Sequence, residues 1–446
     1  MNRHYLKRVL AQVEERNASQ PLFQQAVREV LASLEPIVRE TPDIEALSIL
    51  ERLVEPERQI LVRVSWQDDA GRVHVNRGYR VGFSSALGPY KGGLRFHPTV
   101  DIDTIKFLAF EQIFKNSLTG LSIGGGKGGA DFDPKGKSDT EIMRFCQAFM
   151  SELFPFLGEQ TDVPAGDIGV SSREIGYLFG QYKRLTKRFE QGVLTGKKVG
   201  LGGSLARAEA TGFGAVYFAQ EMLRVRGESL RDKVCVVSGA GNVAIYGAMK
   251  LQELGAKVVA LSDSGGCLHD PKGVDLDIAR AIKEVERVSL EAYESRRPSG
   301  KFFPGKKVWE LECDLAFPCA TQNELDERDA AALADSGCQA VVEGANMPAT
   351  PEAIKLLRKK GLLFAPGKAA NAGGVAVSAL EMQQNASLQS WSFSEVDEKL
   401  KGIMGAIHDD CRRFAKKYRR PDDYVFGANV AGFIRVADAI KAYGVT

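Results

Sequence analysis

The sequence predicts an α/β protein of two domains. Three observations carry that prediction. Residues 58–83 alternate apolar and polar side chains around a turn, the period of β-strands. Residues 233–263 read as a buried strand, a glycine-punctuated turn, a helix and a second buried strand, the pattern of a parallel sheet. Helical stripes open and close the chain, and 446 residues suffice for two cores.

Residues 1–55 read as helical. Phe23, Val27, Val30, Leu31 and Leu34 fall on one face, with Pro21 suited to a first turn and Pro36 placed near a stop. From Arg58, Ile60, Val62 and Val64 lead to the turn Asp68-Asp-Ala-Gly71, and Val73, Val75, Tyr79, Val81 and Phe83 lead away from it. Gly88 to Pro98 reads as a loop that places Lys91 among glycines. Asp101 to Leu118 reads as a helix on which Gln112 and Lys115, three residues apart, share a face.

Leu121-Ser-Ile-Gly-Gly-Gly-Lys-Gly-Gly-Ala-Asp-Phe-Asp133 follows. A glycine–lysine run is by itself a flexible surface turn. Here Leu121, Ile123, Ala130 and Phe132 flank it, which predicts a buried turn holding Lys127. Burial lowers a lysine pKa toward neutrality. Gly136-Lys-Ser138 is not the end of a phosphate loop, because Asp131 stands where that motif has its first glycine. After a helix from Ser138, Asp162-Val-Pro-Ala-Gly-Asp167 reads as a turn. An aspartate in such a place is ordinarily a turn former or a cap, and Ser171 or Ser172 caps the next helix.

Gly192 to Gly214 reads as the connection to the second domain. There Val234-Cys-Val-Val-Ser-Gly-Ala-Gly-Asn-Val-Ala244 passes from strand to helix, and a second strand ends in Asp263. Gly239-x-Gly241-x-x-Ala244 with an acid roughly 20 residues on is the dinucleotide fingerprint of a Rossmann-type domain. Further strands end in small polar residues near Asn323, Asn346 and Asn371, where ligands of open α/β sheets sit. Domain boundaries fall at 1–200, 201–374 and 375–446, the last segment being helical.

Charge is balanced, 59 basic against 57 acidic residues, which points to no nucleic acid and no anionic membrane surface. Seven scattered cysteines without a Cys-x-x-Cys pair fit reduced thiols in the cytoplasm, and five dispersed histidines make no metal motif. No signal-peptide run and no membrane span are expected. A nicotinamide domain means hydride transfer, so the first domain holds the substrate. Its lysines Lys91, Lys115 and Lys127, in or near glycine loops, and the turn aspartate Asp167 suit a small dicarboxylic acid, with one lysine and one carboxylate left for protons.

In Gly88–Pro98, Phe110–Pro134, Thr161–Gly169, Gly202–Gly214, Ser238–Ala244, Phe317–Leu325, Glu343–Pro348 and Ala365–Gly374 the chain resembles the hexameric glutamate dehydrogenases of bacteria and fungi. The resemblance implies two domains. The first is an N-terminal α/β domain for substrate and oligomerisation, with a mixed sheet to which the C-terminal helices return. The second binds the dinucleotide. It further implies the reversible conversion of L-glutamate to 2-oxoglutarate and ammonium, in a cytoplasmic homohexamer without metal. Lys127 would be the catalytic lysine and Asp167 the proton shuttle. Gln112 and Lys115 would hold the α-carboxylate, Lys91 and Ser378 the γ-carboxylate, and the Gly166 backbone the α-amino group. Thr211, Gly239, Gly241, Asn242, Val243, Asp263, Ser264, Asn346 and Asn371 would line the cofactor. Asp263 alone would favour NAD. Ser262-Asp-Ser264 is also what NADP-specific members show, and Lys283 and Arg287 follow with Glu286 between them, so NADP is expected and NAD is the alternative. Ala208 stands where proline is usual, Ser171-Ser172 where glycines are common, and Ser289–Lys307 is unfamiliar. Two further classes are weighed. A branched-chain amino acid dehydrogenase would carry apolar residues at 91 and 378, and a non-catalytic sensor would lack Lys127 or Asp167.

Overall fold

The structure, a computed structural model, describes residues 2–445. It forms two compact units, Met1–Leu205 with Val375–Val396 and Asn429–Thr446, and Ala206–Gly374 with Asp397–Ala428.

The first unit holds a five-stranded sheet in the order β1-β2-β4-β3-β5. β1 (Arg58–Gln67) and β2 (Val73–Ser84) form an antiparallel hairpin. The Asp68 carboxylate closes its turn by accepting the Ala70 and Arg72 N–H groups. β3 (Tyr90–Phe96), β4 (Gly125–Ala130) and β5 (Asp162–Gly166) complete the sheet. β2 and β4 are antiparallel, whereas β4, β3 and β5 run parallel, so the sheet is mixed. One face buries Leu94, Phe96, Ala130 and Phe132 against Phe145, Phe149 and Leu178. These last three come from the helices Asp139–Leu153 and Ser172–Thr186, capped by Ser138 and Ser171 through reciprocal Ser–Glu pairs. Toward the other face, Phe23, Phe83 and Phe110 pack ring on ring.

Three expectations change here. Gly88–Pro98, read as a loop, contains strand β3. The glycine run at 124–129, read as a turn, is mostly the fully buried strand β4. Asp162–Gly166, also read as a turn, is strand β5. Glycine is a poor strand former by propensity. Close approach overrides propensity in this sheet: a Cβ on Gly92 would lie 1.7 Å from the Gly126 carbonyl oxygen, and one on Gly129 2.2 Å from that of Arg95. Pro36 lies near the end of the helix Pro21–Glu40, as expected, and Ile37 and Val38 after it continue the buried stripe.

The second unit holds a seven-stranded sheet in the order β12-β11-β10-β6-β7-β8-β9. β6 (Val234–Val237), β7 (Lys257–Asp263), β10 (Leu315–Phe317), β11 (Ala340–Val342) and β12 (Leu363–Ala365) are parallel. β8 (Gly266–His269) and β9 (Lys301–Pro304) extend the β7 edge antiparallel, so the unfamiliar stretch 289–307 supplies the edge strand. The last segment, expected to belong wholly with the first domain, divides, since Asp397–Ala428 packs in the second unit. Asp397 accepts the Tyr217 hydroxyl at 2.7 Å, and His408 packs edge-on against Phe218.

Candidate functional site

Strand alternation sorts the residues of the first unit. Leu94 and Phe96 of β3 enter the core, which leaves Lys91, Gly93 and Arg95 on the opposite face. On β4, Ala130 enters that core, which leaves Lys127 and Gly129 with Arg95. β3 lies between β4 and β5, so Asp167, one residue past β5, reaches across to both strands.

The Lys127 Nζ lies 2.8 Å from Asp167 Oδ2. Arg95 Nε donates to the same oxygen at 3.0 Å. The three side chains are 6%, 18% and 15% exposed for Lys127, Asp167 and Arg95 respectively, so water screens the cluster weakly. Burial holds the Lys127 ammonium below the usual lysine range; Asp167 opposes this, and the Arg95 and Arg80 charges reinforce it. Burial pushes the Asp167 carboxyl up, but Lys127 and Arg95 outweigh it and bring it to about 2.

Lys91 is fully buried and donates to Val163 O at 3.1 Å and to Thr195 Oγ1 at 2.7 Å. Two residues on, the Lys197 ammonium lies 2.8 Å from Glu381, which also accepts the Gly196 N–H. Glu381 is three residues after buried Ser378 on the helix Gly373–Ser387, so the segment 195–197 ties that helix to Lys91. Gln112 donates to Asn116 at 2.6 Å, and buried Asn116 donates to Lys91 O at 3.0 Å. Lys115 shares the half-buried edge of the helix Ile102–Leu118 with Gln112. Gly166 ends β5, where a Cβ would meet Val170 O at 2.6 Å. Lys91, Arg95, Lys115 and Lys127 thus lie with Asp167 on one sheet, its flanking turn and its covering helix, a setting for an anionic substrate and for proton transfer.

In the second unit Gly239 has φ +86°, a left-handed conformation that costs glycine nothing. Gly241 caps the helix Asn242–Glu253, and no atom of the described residues lies within 4 Å of where its Cβ would be. Asn242 and Val243 form the first turn of that helix, whose N–H groups and dipole suit a pyrophosphate. Thr211 lies against Gly374, where a Cβ would be 2.5 Å from its hydroxyl. Asn371 donates to Asn346 Oδ1 at 3.0 Å, and its own Oδ1 is buried without a partner among the described residues. That orphaned acceptor fits a ligand donor such as an amide or a ribose hydroxyl. Asp263 is engaged by the chain itself. It accepts from Leu290 N at 2.8 Å, from Gly265 N at 2.9 Å and from Lys283 Nζ at 3.0 Å. Ser264 beside it is exposed. Glu286 is paired with Arg296 at 2.6 Å.

Residues 202–444 match the Glutamate/Leucine/Phenylalanine/Valine dehydrogenase family, and residues 56–184 match the Glu/Leu/Phe/Val dehydrogenase dimerisation domain. The chain belongs to this family. This dehydrogenase is 54% identical to the NADP-specific glutamate dehydrogenase of Helicobacter pylori, over 99% of its own length and 100% of the relative's. It is 55% identical to the NADP-specific enzyme of Chlorella sorokiniana, over 98% and 84% of the two chains. The crystal structure of Plasmodium falciparum glutamate dehydrogenase superposes with a TM-score of 0.97 at 51% identity, covering 99% of this chain and 95% of that one.

Several residues that order the dehydrogenase's first unit carry no mark in the sequence. Arg95 is one; its place two residues after Gly93 and four after Lys91 marks a shared face only once 90–96 is known to be a strand. Asn116 and Thr195, which hold the Lys91 backbone and ammonium, are two more. Arg80 and Asp162 form a fully buried ion pair, and Arg80 also donates to Gly92 O at 3.1 Å, which joins β2, β3 and β5. No local signal marks these residues, because their partners lie far along the chain.

Proposed function

We propose that this protein is an NADP-dependent glutamate dehydrogenase. It interconverts L-glutamate with 2-oxoglutarate and ammonium. The observation that carries the reading is the buried Lys127–Asp167 pair on a sheet that also holds the fully buried ammonium of Lys91.

Lys91 and Ser378 bind the γ-carboxylate. Lys115 and Gln112 hold the α-carboxylate, and the Gly166 carbonyl accepts from the α-amino group. A buried cation facing an aliphatic side chain would be left uncompensated, so the pocket disfavours leucine and valine. Thr211, Gly239, Gly241, Asn242, Val243, Asn346 and Asn371 would hold NADP, which when bound supplies the acceptor for the hydride of the substrate α-carbon. Neutral Lys127 takes a proton from the water that attacks 2-iminoglutarate. Asp167, ionised at rest, relays that proton from the Lys127 ammonium, 2.8 Å away, to the departing ammonia. A general base works best with a pKa near the operating pH, and burial moves Lys127 that way. Because Asp263 is satisfied by Lys283 and the backbone, its carboxylate is not presented as a free acceptor for a ribose diol, which supports NADP over NAD.

The enzyme assembles as a homohexamer in the cytoplasm. The match to a dimerisation domain and the exposed Leu61, Val73 and Val75 of the β1–β2 hairpin support assembly. Seven free, buried cysteines support a reducing compartment.

The test is an absorbance assay with 2-oxoglutarate, ammonium and either NADPH or NADH. Ammonium-dependent oxidation of NADPH is expected. Preference for NADH would overturn the cofactor assignment, and oxidation of neither would overturn the activity.

A further inference from the structure

Two cations share one oxygen of Asp167. Lys127 approaches Oδ2 at 2.8 Å and Arg95 donates to it at 3.0 Å. They differ in kind. An arginine does not lose its proton in a protein, whereas a buried lysine does so readily. In the reaction proposed above Lys127 must cycle between ammonium and amine. Each time it becomes neutral, Asp167 loses that partner while remaining mostly out of water. A buried carboxylate without a cation is strongly disfavoured and would take up a proton.

We propose that Arg95 is the positioning residue of this site, a permanent cation that stays on the Asp167 carboxylate while Lys127 gains and loses its proton. The inference rests on the roles assigned to Lys127 and Asp167 above. The backbone supports it. Gly93, two residues before Arg95, leaves the space that Asp167 occupies, since a Cβ there would lie 2.8 Å from the Asp167 Cβ. Arg95 is carried by β3, which is hydrogen-bonded on one side to the strand of Lys127 and on the other to the strand preceding Asp167. Its position is therefore set by the two elements it serves.

Arg95 also acts on Lys127 by repulsion, in the same direction as burial. The charged groups around Lys127 are Asp167 after β5, Arg95 from β3 and Arg80 from β2. Arg80 is already bound to Asp162 and to Gly92 O. The covering helix Ile102–Leu118 adds half-buried Glu111 and Lys115. Of the two arginines that oppose the Lys127 charge, Arg95 is the one that also holds Asp167.

The test measures Lys127 itself. The rate of its acylation by an amine-reactive ester is followed against pH by peptide mass spectrometry in the full-length protein, alongside the pH profile of kcat/KM for glutamate. In Arg95→Gln both midpoints move to higher pH by about half to one unit. This is a roughly three- to tenfold lower rate at any pH below the midpoint. kcat falls more than KM rises. In Asp167→Asn the acylation midpoint moves the opposite way. Arg95→Lys keeps a cation and returns the midpoint to that of the parent, while kcat stays low because a point charge does not replace the guanidinium fork. A parental midpoint in Arg95→Gln overturns the proposal. If that variant does not fold, Arg95→Lys decides alone: an upward shift overturns the proposal, and a parental midpoint with reduced kcat upholds it. A parent without glutamate activity would sink the functional reading, while the acylation series would still decide whether Arg95 controls Lys127.

Discussion

The two sheets of this protein carry their chemistry in opposite ways. In the second unit β6, β10, β11 and β12 are short and apolar, and Gly239, Gly241, Asn242, Val243, Asn346 and Asn371, proposed for the cofactor, follow the carboxyl ends of β6, β11 and β12. In the first unit Lys91, Arg95 and Lys127 sit inside strands, among glycines. A dinucleotide is recognised chiefly through backbone N–H groups and a helix terminus, which a turn can present. Proton transfer needs charged atoms held within hydrogen-bond reach and away from water, and a buried strand holds them more rigidly than a loop. Glycine in the two sheets therefore serves different ends. Next to β6 it leaves room for a ligand. In β3 and β4 it lets strand approach strand.

The sharpest break of that comparison removes the base. Lys127→Ala is expected to lower kcat for glutamate by a factor on the order of 10²–10⁴ with cofactor binding retained. The parent should gain about tenfold in kcat/KM per pH unit on the acid limb, because only the neutral amine of Lys127 accepts a proton and its charged form is lost as pH rises. The mutant should not show that limb.

Exchanging Lys91→Leu together with Ser378→Val should cost glutamate turnover on the order of 10³-fold or more and relatively favour leucine. Unchanged glutamate kinetics would remove both residues from the pocket.

The glycine contrast is a pair of stability measurements. Gly92→Ala should destabilise by about 3 kcal/mol or more in denaturant unfolding, since the new methyl would meet the Gly126 carbonyl at 1.7 Å. Gly241→Ala meets nothing within 4 Å and should cost about 1 kcal/mol or less while weakening NADPH binding. Equal losses of stability would contradict the division of labour.

The smallest effect concerns Asp263. Lys283→Ala frees one of its lone pairs and should shift preference toward NADH by roughly tenfold, the size of one charge-assisted hydrogen bond. Competition between the two reduced cofactors measures it.

Much was legible from the chain alone. The β1–β2 hairpin, the helix start at Ser138, the cap at Ser171 and the strand–glycine–helix passage at 234–244 depend on neighbours within a few residues, and those neighbours are visible in a sequence. The tertiary structure alone decided that the glycine runs at β3 and β4 are strands. Their conformation answers to a carbonyl on the facing strand and not to local preference. It also decided that Asp263 turns toward Lys283 and Leu290, and that Asp397–Ala428 packs with the second unit. Arg95 belongs with these. Its meaning comes from the order β4-β3-β5, which brings Lys127 and Asp167 to its two sides from distant parts of the chain. Propensity and capping are local energies, whereas close approach and buried charge pairing are set by which strands become neighbours.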